Sequence, residues 1–430
     1  MAAVFDDGRE ASAVDGVKRA VREVLLLCWR DTGHPQGGGS ERYLEQVGAG
    51  LARRGVRVTL RTASYPGAPA EEIVDGIRIS RGGGRLSVYP RALAAIAAGR
   101  LGFGPLKGIS PDAVIDTQNG IPFFSRAVLG VPVTLLVHHC HREQWPVAGP
   151  MMAKLGWWLE STISPKVHRR NQYLTVSLPS ADELIALGVD RERIAVVRNG
   201  ADDIPLSVPE GGEDTRTPHP SLSVLSRLVP HKQIEDAIDV VAALRGSIPD
   251  IHLDVIGGGW WERNLREYVT SLGVDRYVTF HGHVDEERKH ALLGRSWVHV
   301  MPSRKEGWGL AVVEAAQHGV PTVGYRSSKG LTDSIIDGVT GVLVGGSTSG
   351  AEDRDVSALT GAVAELLQDA EARTRLGEKA RVRAGEFSWG QCADGVFSVL
   401  DGTTRGTWSS GLVGAADAHT PAESAQESYR

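Results

Sequence analysis

Short apolar runs alternate with amphipathic segments along most of the chain, and this pattern predicts strands that alternate with helices. The run at 24–29 predicts a buried strand. From Ser40 to about residue 53, apolar residues recur at spacings of three and four, as they do along one face of a helix. The run at 56–60 predicts a second strand. These three elements form a β-α-β unit, whose strands we expect to lie parallel.

The same alternation continues through two series of segments. The first series predicts strands at 77–80, 113–116, 133–137, 173–176 and 194–197, with helices at 150–168 and 179–187. The second series predicts strands at 222–225, 252–256, 278–281, 297–301, 322–325 and 341–344, with a last amphipathic helix that begins at 387. Strands separated by helices imply mostly parallel sheets that are covered on both faces.

A change of composition separates the two series. Residues 203–221 are rich in Pro, Gly, Asp and Glu and contain few apolar residues, which is typical of an interdomain linker. We therefore predict two doubly wound, Rossmann-like α/β domains that face each other across a cleft, where the carboxyl ends of the strands would bind ligands. The predicted divisions are a flexible N-terminal arm over 1–22, a first domain over 23–202, the linker over 203–221, a second domain over 222–386, a C-terminal helix over 387–402 and a disordered tail over 403–430.

The overall composition argues against a nucleic-acid binder and against a membrane-spanning protein. The 430 residues are 41% hydrophobic and 23% charged, and the formal net charge of −5 has the wrong sign for general nucleic-acid binding. No run approaches the roughly 20 apolar residues of a membrane span, and the first residues lack a signal-peptide pattern. Cys28, Cys140 and Cys392 lie far apart, so we expect neither a disulfide framework nor a zinc site. We predict a soluble, cytoplasmic protein, with the inner face of the membrane as the alternative location.

The segment 305–316 has the pattern of a strand-to-helix turn that binds an anion. It follows the apolar run at 297–301 and contains two glycines, after which the spacing becomes helical. Unpaired backbone N–H groups and the helix dipole make such a turn attractive to phosphate. Glu306 lies in the turn and Glu314 about two helical turns further on, so both could face one crevice at different depths. Two acceptors that flank a phosphate site suit a nucleotide-sugar, and the alternative is a helix with two solvated glutamates.

Two other loops offer groups that suit phosphate. Residues 37–39 are three glycines between a strand and a helix, where backbone N–H groups can approach a phosphate closely. Their spacing differs from that of a dinucleotide site, and the next strand ends without an acidic residue, so a flexible loop is the main alternative. Arg227 and Lys232 follow the first strand of the second domain. Together they could neutralise a diphosphate without a metal, unless both are solvated surface charges.

Four of these features occur in one order: the glycine loop, residues 197–202 (Val-Arg-Asn-Gly-Ala-Asp), the Ser-Arg…His-Lys loop at 226–232, and the pair Glu306 and Glu314. Together they resemble the retaining GT-B glycosyltransferases of family 4, over roughly residues 24–400. The resemblance implies the GT-B fold and a hexosyltransferase that moves a sugar from a nucleotide-diphosphate donor to a glycan, lipid-linked or small-molecule acceptor. It implies no metal ion and no other cofactor.

The resemblance also implies a role for individual residues of the donor site. Arg227 and Lys232 would bind the diphosphate and stabilise charge on the leaving group, and Glu306 would contact hydroxyls of the donor sugar. Glu314 would bind the ribose hydroxyls of the nucleotide. Asn119 stands where the family often has a histidine that contacts the donor sugar. The remaining donor contacts come mainly from backbone groups, at Gly38 and Gly39 toward the diphosphate, at Gly307, Gly309 and Leu310 toward the sugar and diphosphate, and at Gly258 and His281 around the base.

Three histidines and a cysteine lie together between residues 138 and 141. A metal site is one interpretation, but neighbouring residues at a strand end point to opposite sides and cannot all converge on one ion. We predict that one histidine, His139 in preference to His138 or His141, contacts donor or acceptor and takes part in catalysis. Glu143 and Trp145 could shape the acceptor pocket, and structural packing is the alternative.

Three further segments have weaker signals. Asp353-Arg354-Asp355 spells a DxD motif, which holds a metal in a different transferase fold, but its position at a helix start predicts a solvated turn. Apolar residues over 88–108 and in the helical stripe 151–159 are accompanied by basic residues. Core packing explains most of both stretches. The alternative is a lid over a hydrophobic acceptor, or a shallow peripheral contact with a membrane.

Other functions stand as alternatives to glycosyl transfer. A non-catalytic nucleotide-sugar-binding protein or partner subunit would keep Arg227, Lys232 and Glu314 but would not turn a donor over. A GT-B epimerase would need additional carboxylates in the cleft, and a phosphorylase of this fold would need a lysine-bound pyridoxal phosphate. The sequence contains no clear signature of either enzyme. It leaves open the sugar, the base, the acceptor and the oligomeric state.

Overall fold

The computed structural model describes residues 21–142, 144–145, 149–209, 211–212, 215–346 and 354–414. The strands are β1 (Glu23–Leu27), β2 (Arg57–Thr62), β3 (Glu71–Val74), β4 (Ile77–Arg81), β5 (Ala113–Thr117), β6 (Val133–Leu136), β7 (Gln172–Thr175), β8 (Ile194–Val196), β9 (Ser221–Leu225), β10 (His252–Ile256), β11 (Val278–Gly282), β12 (Val298–Met301), β13 (Thr322–Tyr325), β14 (Gly341–Val344) and β15 (Gly411–Leu412). The helices are α1 (Gly39–Arg53), α2 (Val88–Arg100), α3 (Pro150–Trp158), α4 (Ser164–Val167), α5 (Leu178–Ala186), α6 (Ile234–Leu244), α7 (Glu262–Ser271), α8 (Glu286–Arg295), α9 (Leu310–Gln317), α10 (Leu331–Ser334), α11 (Val356–Gln368), α12 (Ala370–Ala384) and α13 (Trp389–Arg405).

The strands form two doubly wound sheets. The first has nine strands in the order β15-β8-β7-β6-β5-β1-β2-β4-β3, and β3 is antiparallel to β4 while the other neighbours are parallel. The second has six parallel strands in the order β11-β10-β9-β12-β13-β14. In each sheet the chain order reverses beside the first strand, β1 or β9, and ligands bind at the carboxyl ends near such a reversal. This architecture confirms the predicted fold class of two Rossmann-like α/β units.

The last helix returns to the first sheet. Trp389 and Val396 of α13 are buried in the same cluster as Val24 of β1. Gly50 of α1 faces Ala393 of α13 so closely that a Cβ at position 50 would overlap the alanine methyl group. The helix that is last in the sequence therefore packs with the first domain, so the chain crosses between the two sheets twice.

The end of the chain differs from the prediction. α13 continues to Arg405 instead of ending at 402, and β15 pairs with β8. The unpaired edge of β8 explains the difference, because the Val413 N–H donates to the Val196 carbonyl at 2.9 Å. The Gln172 side chain also exchanges hydrogen bonds with the backbone of Ser409. Thus the predicted tail begins with residues that belong to the sheet edge. Its remainder, 415–430, and residues 1–20 of the predicted N-terminal arm lie outside the described residues.

The helix predicted at 150–168 is interrupted. α3 ends at Trp158, a π-helical turn follows over Leu159–Ile163, and α4 begins at Ser164. Such a turn inserts an extra residue and frequently accompanies a functional site. Among the helices in the described ranges, none is long and apolar enough to cross a membrane.

Candidate active site

A cleft of about 840 Å³ opens between the two domains. The loops that follow β1, β5 and β6 contribute to one wall, and the loop that follows β9 contributes to the other. Because these loops leave the carboxyl ends of parallel strands, the cleft lies where α/β sheets bind ligands. Three predicted site residues line it, Asn119 and His139 from the first domain and Arg227 from the second.

The glycine loop beside this cleft is held by a buried carboxylate. The Gly38 N–H donates to Glu41 Oε2 at 2.9 Å, and Glu41 Oε1 accepts from Arg30 Nε at 2.9 Å. Both side chains of this ion pair are buried, so the pair fixes the loop against the N-terminus of α1. The Gly38 N–H group therefore already has a hydrogen-bond acceptor within the protein. A Cβ added to Gly39 would meet no heavy atom of the described residues within 4 Å, which leaves room for an anion at the helix N-terminus.

Arg227 lies across the cleft from this loop. A Cβ added to Gly38 would lie 3.6 Å from Arg227 Nε, so a guanidinium from the second domain meets a helix N-terminus from the first. Burial and the charge of Arg30 lower the pKa of Arg227, and the charges of Glu41 and Glu306 only partly oppose this. An anion bound beside Gly39 would be attracted by both guanidinium groups and by the helix dipole.

Lys232 and Glu306 contact each other directly. The Lys232 Nζ lies 2.5 Å from Glu306 Oε1, and the two side chains are 13% and 10% exposed. Lys232 ends a short 3₁₀ turn after β9, and Glu306 lies in the loop before α9. His231 lies in the same turn, and burial lowers its pKa to about 4, so its ring is neutral at physiological pH. The loop after β9 and the loop before α9 therefore meet at this ion pair.

The turn before α9 packs against the first domain. Ser177 Oγ donates to the Gly307 carbonyl at 2.6 Å, and a Cβ at Gly307 would lie 3.1 Å from the His138 carbonyl oxygen. Gly309 has φ of +97°, and a Cβ there would lie 2.9 Å from the Leu331 side chain. Both positions therefore favour glycine, the first because of a close backbone and the second because of a left-handed conformation. Leu310 then begins α9, as a glycine-containing turn into a helix requires.

Glu314 is bound by a lysine that the sequence analysis did not identify. Lys289 Nζ of α8 lies 2.5 Å from Glu314 Oε1 and 2.6 Å from Glu286 Oε2. Glu314 is 13% exposed at its side chain, whereas Glu286 is 58% exposed. Burial acts to lower the pKa of Lys289, but Glu314 and Glu286 together outweigh it, so this pKa is raised. A ribose that binds Glu314 must therefore share this carboxylate with Lys289.

The three histidines of the segment 138–141 lie in two different places, one in the core and two at the cleft. His138 is buried edge-on against the Tyr43 ring, and burial lowers its pKa to about 3. His139 and His141 line the cleft, and their rings stack with centroids 4.5 Å apart. Burial, with neighbouring cationic groups, lowers the pKa of His139 well below its ordinary value, so this ring is neutral at physiological pH. Its Nε2 lies 2.9 Å from Gln144 Nε2.

A buried glutamate in the π turn organises the loop that carries His141. Glu160 is fully buried, and its Oε1 accepts from the His141 N–H at 3.0 Å and lies 3.1 Å from His141 Nδ1. Its Oε2 accepts from Trp145 Nε1 at 2.7 Å. The Trp145 ring also approaches Gly120, where a Cβ would lie 2.8 Å from the indole. Trp145 thus lines the cleft, and Glu143 lies outside the described residues.

The residues predicted around the base occupy the ends of β10 and β11. The Gly258 carbonyl accepts from the Leu228 N–H at 3.0 Å, which ties it to the loop that bears Arg227. His281 Nε2 lies 2.6 Å from Oδ1 of the buried Asp254. The His281 ring is therefore engaged within the sheet, and any base contact there must come from backbone groups.

The described residues contain no group of three His, Cys, Asp or Glu side chains placed to hold a metal ion. Within the DxD sequence, Asp353 lies outside the described residues. Arg354 Nε donates to Asp236 Oδ1 at 2.7 Å, and Asp355 caps α11 by accepting from the Ala358 N–H at 2.8 Å. Both described residues of this motif thus have structural partners.

Sequence reasoning missed the partners that hold the predicted groups in place. Glu41 had a usable signal, since an acidic residue three positions after a helix start is the spacing of a capping box. Lys289 and Glu160 had none, because they lie 25 and 19 residues from Glu314 and His141 and reach them only through the fold.

Comparison with known families gives one match for each domain. Residues 37–203 match the model described as Glycosyltransferase Family 4, and residues 214–383 match the model described as Glycosyl transferases group 1. The boundary between the two matches falls within the predicted linker. These matches confirm the resemblance inferred from the sequence motifs.

Curated relatives match over different lengths. A glycogen synthase of Mycobacterium tuberculosis is 32% identical over 259 residues, which cover 58% of this chain and 60% of the relative. The match therefore spans about three fifths of that protein. A D-inositol 3-phosphate glycosyltransferase of Corynebacterium efficiens is 27% identical over 418 residues, which cover 88% of this chain and 94% of the relative. Among solved structures, a sucrose-phosphate synthase from Thermosynechococcus elongatus shares the fold, with a TM-score of 0.73, 19% identity and coverage of 90% of this chain and 100% of the other.

Proposed function

This chain belongs to glycosyltransferase family 4, and we propose that it is a retaining, metal-independent glycosyltransferase that uses a nucleotide-diphosphate sugar. The observation that supports this most directly is the meeting of Arg227 with the α1 N-terminus, next to the Lys232–Glu306 pair. These groups could hold a diphosphate and the sugar attached to it. We also propose that the first domain, with α13, binds the acceptor and that the second domain binds the donor.

In the proposed reaction, the bond between the anomeric carbon and the diphosphate oxygen breaks. The acceptor oxygen forms its bond on the same face of the sugar, and its proton passes to the departing phosphate. Negative charge grows on that phosphate in the transition state. Arg227, Lys232 and the N–H groups beside Gly39 would stabilise it, and preorganised donors of this kind act most strongly where water is excluded.

The remaining groups of the cleft would orient the sugar and nucleotide. Glu306 would accept from hydroxyls of the donor sugar, and Asn119 would contact the same sugar from the first domain. His139 is neutral at physiological pH, so it would act by hydrogen bonding rather than as a cation. Glu314 would accept from the ribose hydroxyls and remain neutralised by Lys289.

We propose no metal requirement, since cationic side chains would take the place of a divalent ion at the diphosphate. Addition of EDTA to the protein as purified should then leave donor binding and turnover unchanged. A requirement for Mg²⁺ or Mn²⁺ would contradict this proposal.

The donor site can be tested by thermal unfolding with UDP, GDP, ADP, TDP and their sugars. A nucleotide present at a hundred times its dissociation constant should stabilise the protein by roughly 2.7 kcal/mol. We expect one nucleotide class to stabilise the wild type but neither Arg227→Ala nor Glu314→Ala. The exposed Arg263→Gln variant is the matched control, because this residue pairs only with Glu267 on the outer face of α7 among the described side chains. Absence of any response, with a known transferase responding, would contradict the donor site.

Binding alone would also be expected of a non-catalytic nucleotide-sugar-binding protein. Slow hydrolysis of the bound donor, measured by release of the free nucleoside diphosphate, separates the two functions. The proposed enzyme should release nucleotide, and Lys232→Met should slow the release by about 10²–10³-fold while Arg263→Gln retains it. Tight binding of the sugar nucleotide with no turnover, in the presence of any acceptor class, would favour the binding protein.

We propose, finally, that α3 makes peripheral contact with an anionic membrane surface. Met151, Leu155 and Trp158 are exposed on this helix at 78%, 46% and 50%. Exposed basic residues, Lys154 within α3 and Lys166 in α4, accompany them. Co-sedimentation with phosphatidylglycerol vesicles should be lost on Leu155→Ser combined with Trp158→Ser, and it should be unaffected by Ile73→Ser on the exposed edge strand β3. Equal binding of both variants to the vesicles would show that α3 does not contact the membrane.

A further inference from the structure

One side of α5 contacts both the turn before α9 and the segment that carries the histidines. Three polar residues make these contacts: Ser177, which caps the helix, and Ser180 and Glu183 within it. They follow one another at spacings of three, which places them along one side of a helix. Although α5 belongs to the first domain, this side therefore joins parts of the proposed site that come from both domains.

The two serines hold the backbones of these segments. Ser177 Oγ donates to the Gly307 carbonyl at 2.6 Å, and Ser180 Oγ donates to the His138 carbonyl at 2.8 Å. The two hydroxyl oxygens lie 2.9 Å apart, and both serines are buried. The turn before α9 and the histidine segment are thus attached to a single helix.

Glu183 adds a contact of its carboxylate with each segment. Its Oε2 accepts a hydrogen bond from the Cys140 N–H at 3.3 Å, and its Oε1 forms an ion pair with Lys305 of the second domain. The side chains of Glu183 and Lys305 are 15% and 9% exposed, so the ion pair is largely shielded from water. The more exposed Lys329, also of the second domain, lies 3.7 Å from the same oxygen. The carboxylate therefore bridges the two domains.

The bridged residues are neighbours of residues with proposed roles in sugar transfer. Lys305 immediately precedes Glu306, and Cys140 immediately follows His139. A Cβ at Gly307 would lie 3.4 Å from His139 Nδ1, so the two segments are close together at this point. Movement or loss of the bridging carboxylate would therefore affect both segments.

An ion pair is not needed merely to hold the two domains together. Apolar side chains of similar size often stabilise a buried contact as well as an ion pair does, because two charges must lose their hydration. A hydrogen-bonded ion pair depends on distance and angle, however, so it favours one relative position of its partners. The contacts of Glu183 therefore suit a role in placing the two segments relative to each other.

We propose that Glu183 is a positioning residue for sugar transfer, which fixes the turn that carries Glu306 relative to the segment that carries His139. It acts through the Lys305 side chain on one side and through the Cys140 backbone on the other. The proposal rests on the proposed function and extends it to a residue that does not have to contact the substrate. Loss of this carboxylate should therefore impair sugar transfer more than binding of the nucleotide, whose proposed contacts lie elsewhere in the cleft.

Glu183→Gln tests this role, because the amide oxygen can still accept from Cys140 while the charge that pairs with Lys305 is lost. Calorimetry measures the affinity for UDP, GDP, ADP or TDP, whichever stabilises the wild type, and donor hydrolysis at saturating sugar nucleotide measures the release rate. We expect nucleotide affinity within about twofold of the wild type and a release rate lower by about tenfold or more.

The matched control is Asp182→Asn, in the adjacent residue of α5. Asp182 is 70% exposed at its side chain and lies 3.8 Å from Arg191, on the surface of the same domain. This variant removes one carboxylate from the same helix without touching the contact between the domains. It should change neither nucleotide affinity nor the release rate.

A double variant separates positioning from folding. Glu183→Gln leaves the Lys305 ammonium buried without its partner, which can destabilise the protein, whereas Glu183→Gln combined with Lys305→Met removes both charges. The double variant should regain much of the melting temperature of the wild type but should release nucleotide as slowly as Glu183→Gln does. Recovery of the release rate together with the melting temperature would overturn the proposal, because the ion pair would then serve stability alone.

Two other results would also overturn the positioning role. One is an unchanged release rate in folded Glu183→Gln, and the other is a loss of nucleotide affinity as large as the loss of rate. Failure of the wild type itself to bind or release any nucleotide would instead contradict the proposed function. The wild type therefore tests the function and the variants test the role of Glu183, so the two failures are distinguishable.

Discussion

The Lys232 ammonium lies 2.5 Å from the Glu306 carboxylate, and both side chains are about nine-tenths buried. The pair therefore joins the group proposed for the diphosphate to the group proposed for the sugar. Because each charge neutralises the other, loss of either partner leaves a poorly solvated charge. When the donor binds, the Lys232 ammonium group would donate hydrogen bonds both to Glu306 and to the phosphate.

Lys232→Met should reduce turnover by about 10²–10³-fold, as removal of one preorganised group from a developing negative charge does in other enzymes. Glu306→Gln keeps a hydrogen-bond acceptor for Lys232. We therefore expect it to lower turnover but to change the melting temperature less than Lys232→Met does. Steady-state kinetics together with thermal unfolding will separate the two effects. If Lys232→Met lowered only the melting temperature and left turnover intact, the pair would be purely structural.

Gly37 and Gly39 lie on either side of Gly38 in the glycine loop, but alanine substitutions at the two positions should have opposite effects on stability. A Cβ at Gly37 would lie 2.8 Å from the Thr32 carbonyl oxygen, so Gly37→Ala should destabilise the fold by about 1–3 kcal/mol. A Cβ at Gly39 would reach only open space within the described structure, so Gly39→Ala should keep or slightly raise stability, since alanine favours helix. The added methyl group would instead occupy the proposed phosphate position.

For Gly39→Ala we therefore expect a donor affinity at least about tenfold weaker, measured by calorimetry with the nucleoside diphosphate. Gly37→Ala should retain donor affinity at temperatures where it is folded. Undiminished affinity in Gly39→Ala would show that the α1 N-terminus does not bind the diphosphate.

Lys289 contacts two glutamates, which gives an internal control. Glu314→Gln should weaken nucleotide binding, since the proposed ribose acceptor loses its charge. Glu286→Gln should leave it unchanged, because Glu286 is the exposed partner at 58% exposure. We expect a rise of about tenfold or more in the Michaelis constant for the donor in the first variant. A similar rise in both variants would mean that Lys289, not Glu314, determines nucleotide affinity.

Glu160 should act on the acceptor side through His141 and Trp145. Glu160→Gln replaces one acceptor oxygen with a donor, so a hydrogen bond from His141 or Trp145 is lost inside the protein. A hydrogen bond to a charged group contributes about 1.5–3 kcal/mol, and we expect a loss of stability in that range. The Michaelis constant for the acceptor should rise while nucleotide affinity stays constant. Ser161→Ala, in the same π turn, is the control, because Ser161 Oγ donates only to the Trp157 carbonyl and approaches Thr162 among its described neighbours.

The sequence predicted most of the sheets because apolar runs report burial directly. The runs at 113–116 and 322–325 correspond to β5 and β13, which are buried at every position. β3 was missed, since an exposed edge strand needs no apolar pattern and Ile73 on it is 77% exposed. β15 was missed because its pairing depends on the edge of β8, which lies more than 200 residues away in the chain.

In the candidate site too, local features could be predicted from the sequence and contacts between distant residues could not. Groups within one motif, such as Glu306 and Gly309, can be predicted because a strand-to-helix turn is a local structure. The partners that hold these groups are distant in sequence, as Ser177 is from Gly307 and Arg227 is from Gly38. Their selection depends on how the two domains meet, and a hydrophobic pattern contains no information about that arrangement.

Buried histidines should make the protein sensitive to mild acid. Burial lowers the pKa of His168, His290 and His299 to about 4 and that of His138 and His318 to about 3. These values lie below the ordinary value of 6.5, so between pH 6.5 and 4 the unfolded chain binds more protons than the folded one. The free energy of unfolding must then decrease as the pH falls through this window, by about 1.4 kcal/mol per pH unit for each such histidine.

His299 is the best single test of this sign. His299 lies on β12, whose neighbours in the sheet are β9 and β13, and it is fully buried. Its Nδ1 lies 3.4 Å from Ser223 Oγ. His299→Gln cannot titrate, so the variant should be less stable at pH 7.5 but should lose stability more gently between pH 6.5 and 5. Urea unfolding at four pH values gives the two slopes, which should differ by about 1.4 kcal/mol per pH unit. Parallel slopes would mean that His299 binds its proton in the folded protein at an ordinary pKa.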